Sequence, residues 1–389
     1  MMKGEDKQAV PEGEDEGGCI ILKIEAIVIC GGKSAEHEVS LKTAMTVINA
    51  MDRQKYDVRA IYISAHGIWS DAGFIAVPLA DPAELRREST SSDPALSMGE
   101  TIRQVFAGEG RRVVLPLIHG TNGEDGTLQG LLELLNVPYV GNRVLASAAG
   151  MDKEMTKRVV ASAGIPQASY LAFLRHEWKR DPWACLAAIE RELGYPCYVK
   201  PANLGSSIGI HRCESRERLI AAIEDAFRYD LKIVVEREIA GREVQIAVLG
   251  GSEPQCSVTG EFEREPAFFS YEQKYKQGPI RQRIPADLSE EAYDRLRQYA
   301  ARAFRALCGE GLMRVDFFIT GQGELYLNEV NTLPGFTLNS MFPVLWNRTN
   351  GVSYPGLIDR LIRDALDRHA LKQSVFYGTE SAAEGGAGR

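Results

Sequence analysis

In ELYLNEVNTLPGFT, residues 324–337, Glu329 and Asn331 stand two apart in a run that otherwise reads as an apolar strand. Such residues point to one face of a strand, and an unpaired carboxylate is costly to bury there. Upstream, LMRVDFFIT reads as a second strand and GQG as the link of a hairpin. With residues 320–323 as the loop, Arg314 is expected opposite Glu329 and Asp316 opposite Leu327, which gathers Arg314, Asp316, Glu329 and Asn331 on one face. Two carboxylates and an amide oxygen make a hard-oxygen site suited to Mg2+ bridging phosphates. The same residues also fit a plain Arg–Glu cross-strand pair beside a solvated Asp.

Three further stretches carry chemistry. In VKPANLGSSIG, residues 199–209, Lys200 ends an apolar strand and Gly205, Ser206, Ser207 and Gly209 follow in a loop. Glycines there let backbone N–H groups approach phosphate oxygens, and the lysine adds charge, although a flexible Gly/Ser hairpin reads the same way. VVEREIAGRE, residues 234–243, delivers Glu236 and Glu238 on a strand and Glu243 past a glycine turn; alone it is a solvated strand end. In HGTNGEDGT, residues 119–127, His119 closes a strand, and Glu124 and Asp125 open a helix where acids commonly cap. GGKS at 31–34 is not a P-loop, because that motif's first glycine would fall on Ile27. Nor is the GG turn a dinucleotide fingerprint.

The elements that must position these residues alternate between strand and helix. IEAIVICGG is a buried strand entering a glycine turn, Ser40 is placed to cap the next helix, and YDVRAIYIS is a second strand, which implies a parallel α/β layer. Residues 80–100 read as loop. RRVVLPLIHG is a strand, a leucine-faced helix follows Asp125, PYVG is a short strand, and one helix is expected from about Ala146 to Gly164. Three segments result: 23–150, an N-terminal α/β domain; 151–239, central; and 240–372, C-terminal. Residues 262–284, rich in Gln, Glu, Lys and Tyr, read as a lid. The acidic residues 1–22 and the small, polar 373–389 read as disordered tails.

Composition narrows the class. The 389 residues carry a net charge of −8, which gives no basic field for nucleic acid. Seven scattered cysteines, with no CxxC pair, argue against a disulfide framework or a zinc site and for buried small hydrophobes in a reducing compartment. No stretch is long and apolar enough to imply a membrane span or signal peptide, so a cytoplasmic enzyme is expected.

Together, GGKSAEHEVSL, HGTNGEDGTLQGLLELLNVPYVG, MDKEMTK, VKPANLGSSIGI, VEREIAGREV, YEQKY, MRVDFF and NEVNTLPG resemble the ATP-grasp superfamily and, within it, the D-alanine–D-alanine ligases. The resemblance covers about residues 24–370. It implies the ATP-grasp fold of three α/β domains, the first Rossmann-like, and ATP-driven joining of two D-alanines through an acyl phosphate for peptidoglycan precursors, in a homodimer. It implies two Mg2+ ions, replaceable by Mn2+, held by Asp316, Glu329 and Asn331. Lys153 and Lys200 would bind phosphates beneath the loop of Gly205, Ser206 and Ser207, with Lys274 reaching the γ-phosphate. Glu236 and Ile239 would meet adenine and Glu243 the ribose. Glu38 would take the first D-alanine's ammonium, with His119 near its carboxylate, and Tyr275 would close on Glu38 and Ser206. Arg314 and the Gly335 N–H would form the oxyanion hole, and Ser340 and Met341 would meet the second carboxylate; the match is loosest at GFTLNSMF. The neutral Tyr275 favours an amine acceptor over D-lactate. Ligases making D-alanyl-D-lactate or D-alanyl-D-serine, other carboxylate–amine ligases of specialised pathways, and an ATP-binding regulator without activity are the rivals.

Overall fold

The structure, a computed structural model, describes residues 23–108, 110–263 and 281–376. Residues 1–22, most of the expected lid with Lys274 and Tyr275, and most of the expected C-terminal tail lie outside them.

The first layer contains β1 (Ile24–Gly31), α1 (His37–Ala50), β2 (Tyr56–Ile63), β3 (Trp69–Phe74), α2 (Pro94–Phe106), β4 (Arg112–Pro116), α3 (Thr127–Leu134) and α4 (Val144–Met151). Its sheet order is β3-β2-β1-β4. β1 runs parallel to β2 and β4 and is buried from Ala26 onward, as an almost uninterrupted apolar run requires. β3 is antiparallel, so the parallel layer has one antiparallel edge. Part of the stretch expected as loop is α2, where Asp93 caps the Leu96 N–H and Pro94 occupies the first turn. Ser40 does not cap α1. It lies inside the helix, accepts the Gly31 N–H at 2.8 Å and donates to the Leu117 carbonyl at 2.5 Å, which fastens the turn after β1.

The helix expected from Ala146 to Gly164 breaks at Asp152. That side chain accepts the Met155 N–H at 3.0 Å and starts a separate α5 (Lys153–Ser162). The second layer follows: β5 (Tyr170–Leu174), α6 (Arg175–Arg180), α7 (Pro182–Glu192), β6 (Cys197–Pro201), β7 (His211–Cys213), α8 (Arg216–Ala226) and β8 (Lys232–Arg237). Its antiparallel sheet, β5-β8-β6-β7, buries Val199 and Val235 against Leu186, Ile189, Leu219 and Ile223 of α7 and α8. Lys200 and Glu236, displaced by one position from those valines, face the other way.

The third layer holds β9 (Gly241–Gly250), β10 (Gln255–Phe262), β11 (Gln282–Arg283), α9 (Glu290–Ala306), β12 (Gly311–Thr320), β13 (Leu325–Asn331), α10 (Met341–Asn350) and α11 (Tyr354–Gln373). Its sheet order is β11-β10-β9-β12-β13. Packing crosses the expected segment limits. Val160 of α5 shares a core with Phe304 and Phe317, while Trp346 of α10 and Leu361 of α11 pack with Val47 and Leu115 of the first layer.

The β12–β13 register differs from expectation. Arg314 faces Asn331, Asp316 faces Glu329, and Phe317 faces Leu327, leaving Asn328 as the extra residue of a bulge. The turn closes one residue later than expected, with Ile319 opposite Leu325, and the bulge adds a second shift. Two one-residue shifts restore the alternation, so Arg314, Asp316, Glu329 and Asn331 still share a face.

Candidate active site

All three layers line a cavity of about 730 Å³. β4 delivers His119 just past its C-terminal end, and the β6–β7 turn brings Gly205, Ser206 and Ser207. β9 contributes Glu243 and Gln245, β12 Arg314 and Asp316, and β13 Asn328, Glu329 and Asn331; Gly335, Ser340 and Met341 complete the rim.

One wall is rich in carboxylates. Arg314 grips Asp316 with both arms, Nε to Oδ1 at 2.7 Å and Nη2 to Oδ2 at 2.6 Å. Asn331 and Gln245 also donate to Oδ2, at 3.3 and 3.4 Å. Burial, with Glu243 and Glu329 close by, pushes the Asp316 carboxyl up to about 6 against the pull of Arg314. Burial opposes the Arg314 charge as well, but Asp316 outweighs it and keeps the guanidinium firmly protonated. Among the described residues no three His, Cys, Asp or Glu side chains cluster as metal ligands. The donor set here is instead two carboxylates and an amide oxygen, hard ligands in anionic surplus, which fit a divalent cation.

Lysines stand at and behind another part of the wall, with Lys153 in the lining. Lys153 Nζ donates to the Leu204 carbonyl at 2.6 Å, and burial pulls its amine down. Lys200 Nζ donates to Glu236 Oε2 at 3.0 Å and to Asn328 Oδ1 at 3.4 Å. The other Glu236 oxygen faces Lys157 Nζ at 3.4 Å. Burial works against an ionised Glu236, yet Lys157 and Lys200 overcome it and hold the carboxyl at about 2. Neither Lys200 nor Glu236 is among the residues that line the cavity; Lys200 meets the lining through Asn328, and Ile239 lies in the link between β8 and β9. Sequence reasoning missed Lys157 and Asn328. The four-residue spacing of Lys153 and Lys157 on α5 was a readable signal, whereas nothing local announces the bulge at Asn328.

The loop settles the position of the N-terminal acid. Ser206 Oγ donates to Glu36 Oε1, and a Cβ on Gly205 or Gly120 would come within 3.3 or 2.7 Å of Glu36 Oε2. Ser206 and Ser207 adopt left-handed backbones, φ 53° and 58°, which fold the loop toward that acid. Glu38, the acid expected there, is 63% exposed and pairs with Arg86 at 2.6 Å. α1 begins at His37, so Glu36 precedes it and reaches the cavity, whereas Glu38 points out from its first turn.

His119 is clasped between Thr43 Oγ1 and Glu124 Oε1, each at 3.2 Å. Burial disfavours its cation, but Glu124, helped by Glu36, reverses the balance and raises the imidazole. Burial likewise pushes the Glu124 carboxyl up, in part against His119. Ser340 Oγ accepts the Thr337 N–H at 2.9 Å and stands 3.3 Å from where a Gly335 Cβ would be. Met341 is buried against Gly260, whose Cβ would meet its sulfur at 2.7 Å.

Comparison with known proteins finds two matching family models, "D-ala D-ala ligase N-terminus" over residues 25–142 and "D-ala D-ala ligase C-terminus" over 159–363. The D-alanine–D-alanine ligase of Bacillus velezensis is 51% identical over 353 residues, covering 89% of this chain and 99% of that protein. That of Geobacillus kaustophilus is 49% identical over 364 residues, 92% and 98% of the two chains. Among solved structures, the D-alanine–D-alanine ligase from Coxiella burnetii superposes with a TM-score of 0.73 at 33% identity, covering 90% of this chain and 96% of that one. VanG D-Ala:D-Ser ligase from Enterococcus faecalis gives 0.73 at 34%, covering 88% and 99%.

Proposed function

Because this chain belongs to the D-alanine–D-alanine ligase family, we propose that its cavity couples ATP cleavage to the joining of two D-alanines. The chain is an ATP-dependent, ADP-forming carboxylate–amine ligase of peptidoglycan precursor synthesis. One observation supports the site-level reading above others: Glu36, held by the glycine loop, and Arg314, held on the carboxylate face, line the same cavity as Lys153.

A carboxylate is a poor electrophile. Transfer of the γ-phosphoryl group to the first D-alanine's carboxylate gives an acyl phosphate and ADP, a step that asks for positioning and charge neutralisation rather than a covalent catalyst. Glu36 receives that D-alanine's ammonium, and His119, raised by Glu124, stands by its carboxylate. Lys153 and Lys200 hold phosphates under Gly205, Ser206 and Ser207, while Glu236 and Ile239 serve adenine and Glu243 the ribose. Asp316, Glu329 and Asn331 would hold two Mg2+ ions, or Mn2+, whose charge neutralises the phosphates. The second D-alanine, its carboxylate at Ser340 and Met341, attacks with its amine; the C–N bond forms, the C–O bond to phosphate breaks, and inorganic phosphate leaves. Arg314 and the Gly335 N–H stabilise the oxyanion between these events. Family membership also supports a homodimer, which light scattering would check. No described helix is long and apolar enough to cross a membrane.

The test is phosphate release with ATP, Mg2+ and a panel of D-amino and D-hydroxy acids. D-Alanine is expected as both donor and acceptor. Release only with D-serine or D-lactate as acceptor would replace the reading; a D-Ala:D-Ser ligase has a similar fold.

A further inference from the structure

Lys157 is 2% exposed, and the reaction described above gives it no task. Its Nζ has no aligned hydrogen-bond acceptor. What it has is the ion-pair contact with Glu236 Oε1 at 3.4 Å and the Tyr170 ring at 5.3 Å. A buried amine is disfavoured as a cation, and burial pulls this one down. The other oxygen of Glu236 holds Lys200, which reaches the cavity side through Asn328. The carboxylate thus has one lysine per oxygen, and of the two Lys200 hydrogen-bonds a residue of the cavity lining, Asn328. The charged and titratable groups around Glu236 are Lys153 and Lys157 of α5, Tyr170 of β5, and Tyr198 and Lys200 of β6.

We infer that Lys157 is a positioning residue, the standing counter-ion of Glu236, which frees Lys200 to turn from Glu236 to a nucleotide phosphate without stranding a buried carboxylate. This rests on the proposed role of Lys200. Without Lys157, Glu236 retains Lys200 as its ion-pair partner and competes with the phosphate. Replacing Glu236 by glutamine removes that competition.

The experiment is calorimetric titration of Mg-ADP into the full chain, without D-alanine, at neutral pH. Lys157→Met should bind about tenfold more weakly than wild type. The double variant Lys157→Met/Glu236→Gln should bind as Glu236→Gln alone does, and Lys157→Arg should stay near wild type. Unchanged affinity in Lys157→Met, or a double variant weaker than Glu236→Gln alone, overturns the inference and leaves Lys157 a packing residue. If Lys157→Met does not fold, Glu236→Gln is compared with the double variant: equal affinities support the inference, and a further loss overturns it. A wild type that binds Mg-ADP but releases no phosphate with D-alanine breaks the ligase reading alone, whereas one that does not bind Mg-ADP breaks both.

Discussion

On the β12–β13 wall one guanidinium, Arg314, answers Asp316 while Glu243 and Glu329 crowd the same carboxylate. On the α5–β8 wall the ratio is inverted, and one carboxylate, Glu236, is answered by Lys157 and Lys200. Both acids are buried, yet Asp316 is pushed up to about 6 and Glu236 is held at about 2. Burial acts alike on the two, so the count of neighbouring charges decides the sign. A wall with surplus carboxylate is prepared for cations, and a wall with surplus ammonium for phosphates. A metal–nucleotide complex presents both, and Asn328 joins the walls by contacting Lys200 and Glu243.

The largest effect should come from removing the cation that grips Asp316 on the acidic wall. Arg314→Met is expected to lower kcat about 1,000-fold, a loss of roughly 4 kcal/mol in transition-state stabilisation. Arg314→Lys should recover little, because an ammonium cannot reproduce the two-armed grip. Steady-state kinetics with a thermal-melt control reads this, and kcat within a few fold of wild type in Arg314→Met would remove the oxyanion role.

Glu236 should sharpen the contrast through pH. Its carboxyl is held below the ordinary 4.5 at about 2, so its contribution is complete above 4.5 and lost as pH falls through about 2. The linked stabilisation is about 3 kcal/mol. Urea unfolding of Glu236→Gln against wild type should show a gap at neutral pH that closes on acidification. A gap that stays constant with pH would mean the carboxylate is not held ionised by its lysines.

Glu36→Gln should cost about 2 kcal/mol, the scale of a charged hydrogen bond, seen as a KM for the first D-alanine raised about 30-fold. Glu38→Gln should change it less than about twofold, since its partner Arg86 lies on the surface. The reverse pattern would return the ammonium site to Glu38. The smallest effect belongs to the link between the walls: Asn328→Ala should weaken nucleotide KM about fivefold, or roughly 1 kcal/mol. No change there would show that the walls act independently.

Much of the site was legible because its chemistry is written in short runs. Lys200 with its Gly/Ser loop, and Asp316 with Glu329 and Asn331, could be placed on strands from alternation alone. Asp93 before Pro94 was an equally clear helix start that the polar composition of residues 80–100 masked. The choice between Glu36 and Glu38 was not legible, because both stand in one run of polar residues at a helix entrance. Which one faces inward depends on where α1 begins and on Ser206, 170 residues away.

By itself, the sequence determined the residue types, the strand faces and the family, because each follows from spacing over a few residues or from motifs in order. Tertiary structure decided which charges meet. The bulge at Asn328 set Asp316 opposite Glu329 and Arg314 opposite Asn331, and the break at Asp152 turned α5 so that Lys157 meets Glu236. Burial then set the balance of each wall, since a carboxylate's ionisation depends on the cations that distant segments bring within a few ångströms and on the water they exclude.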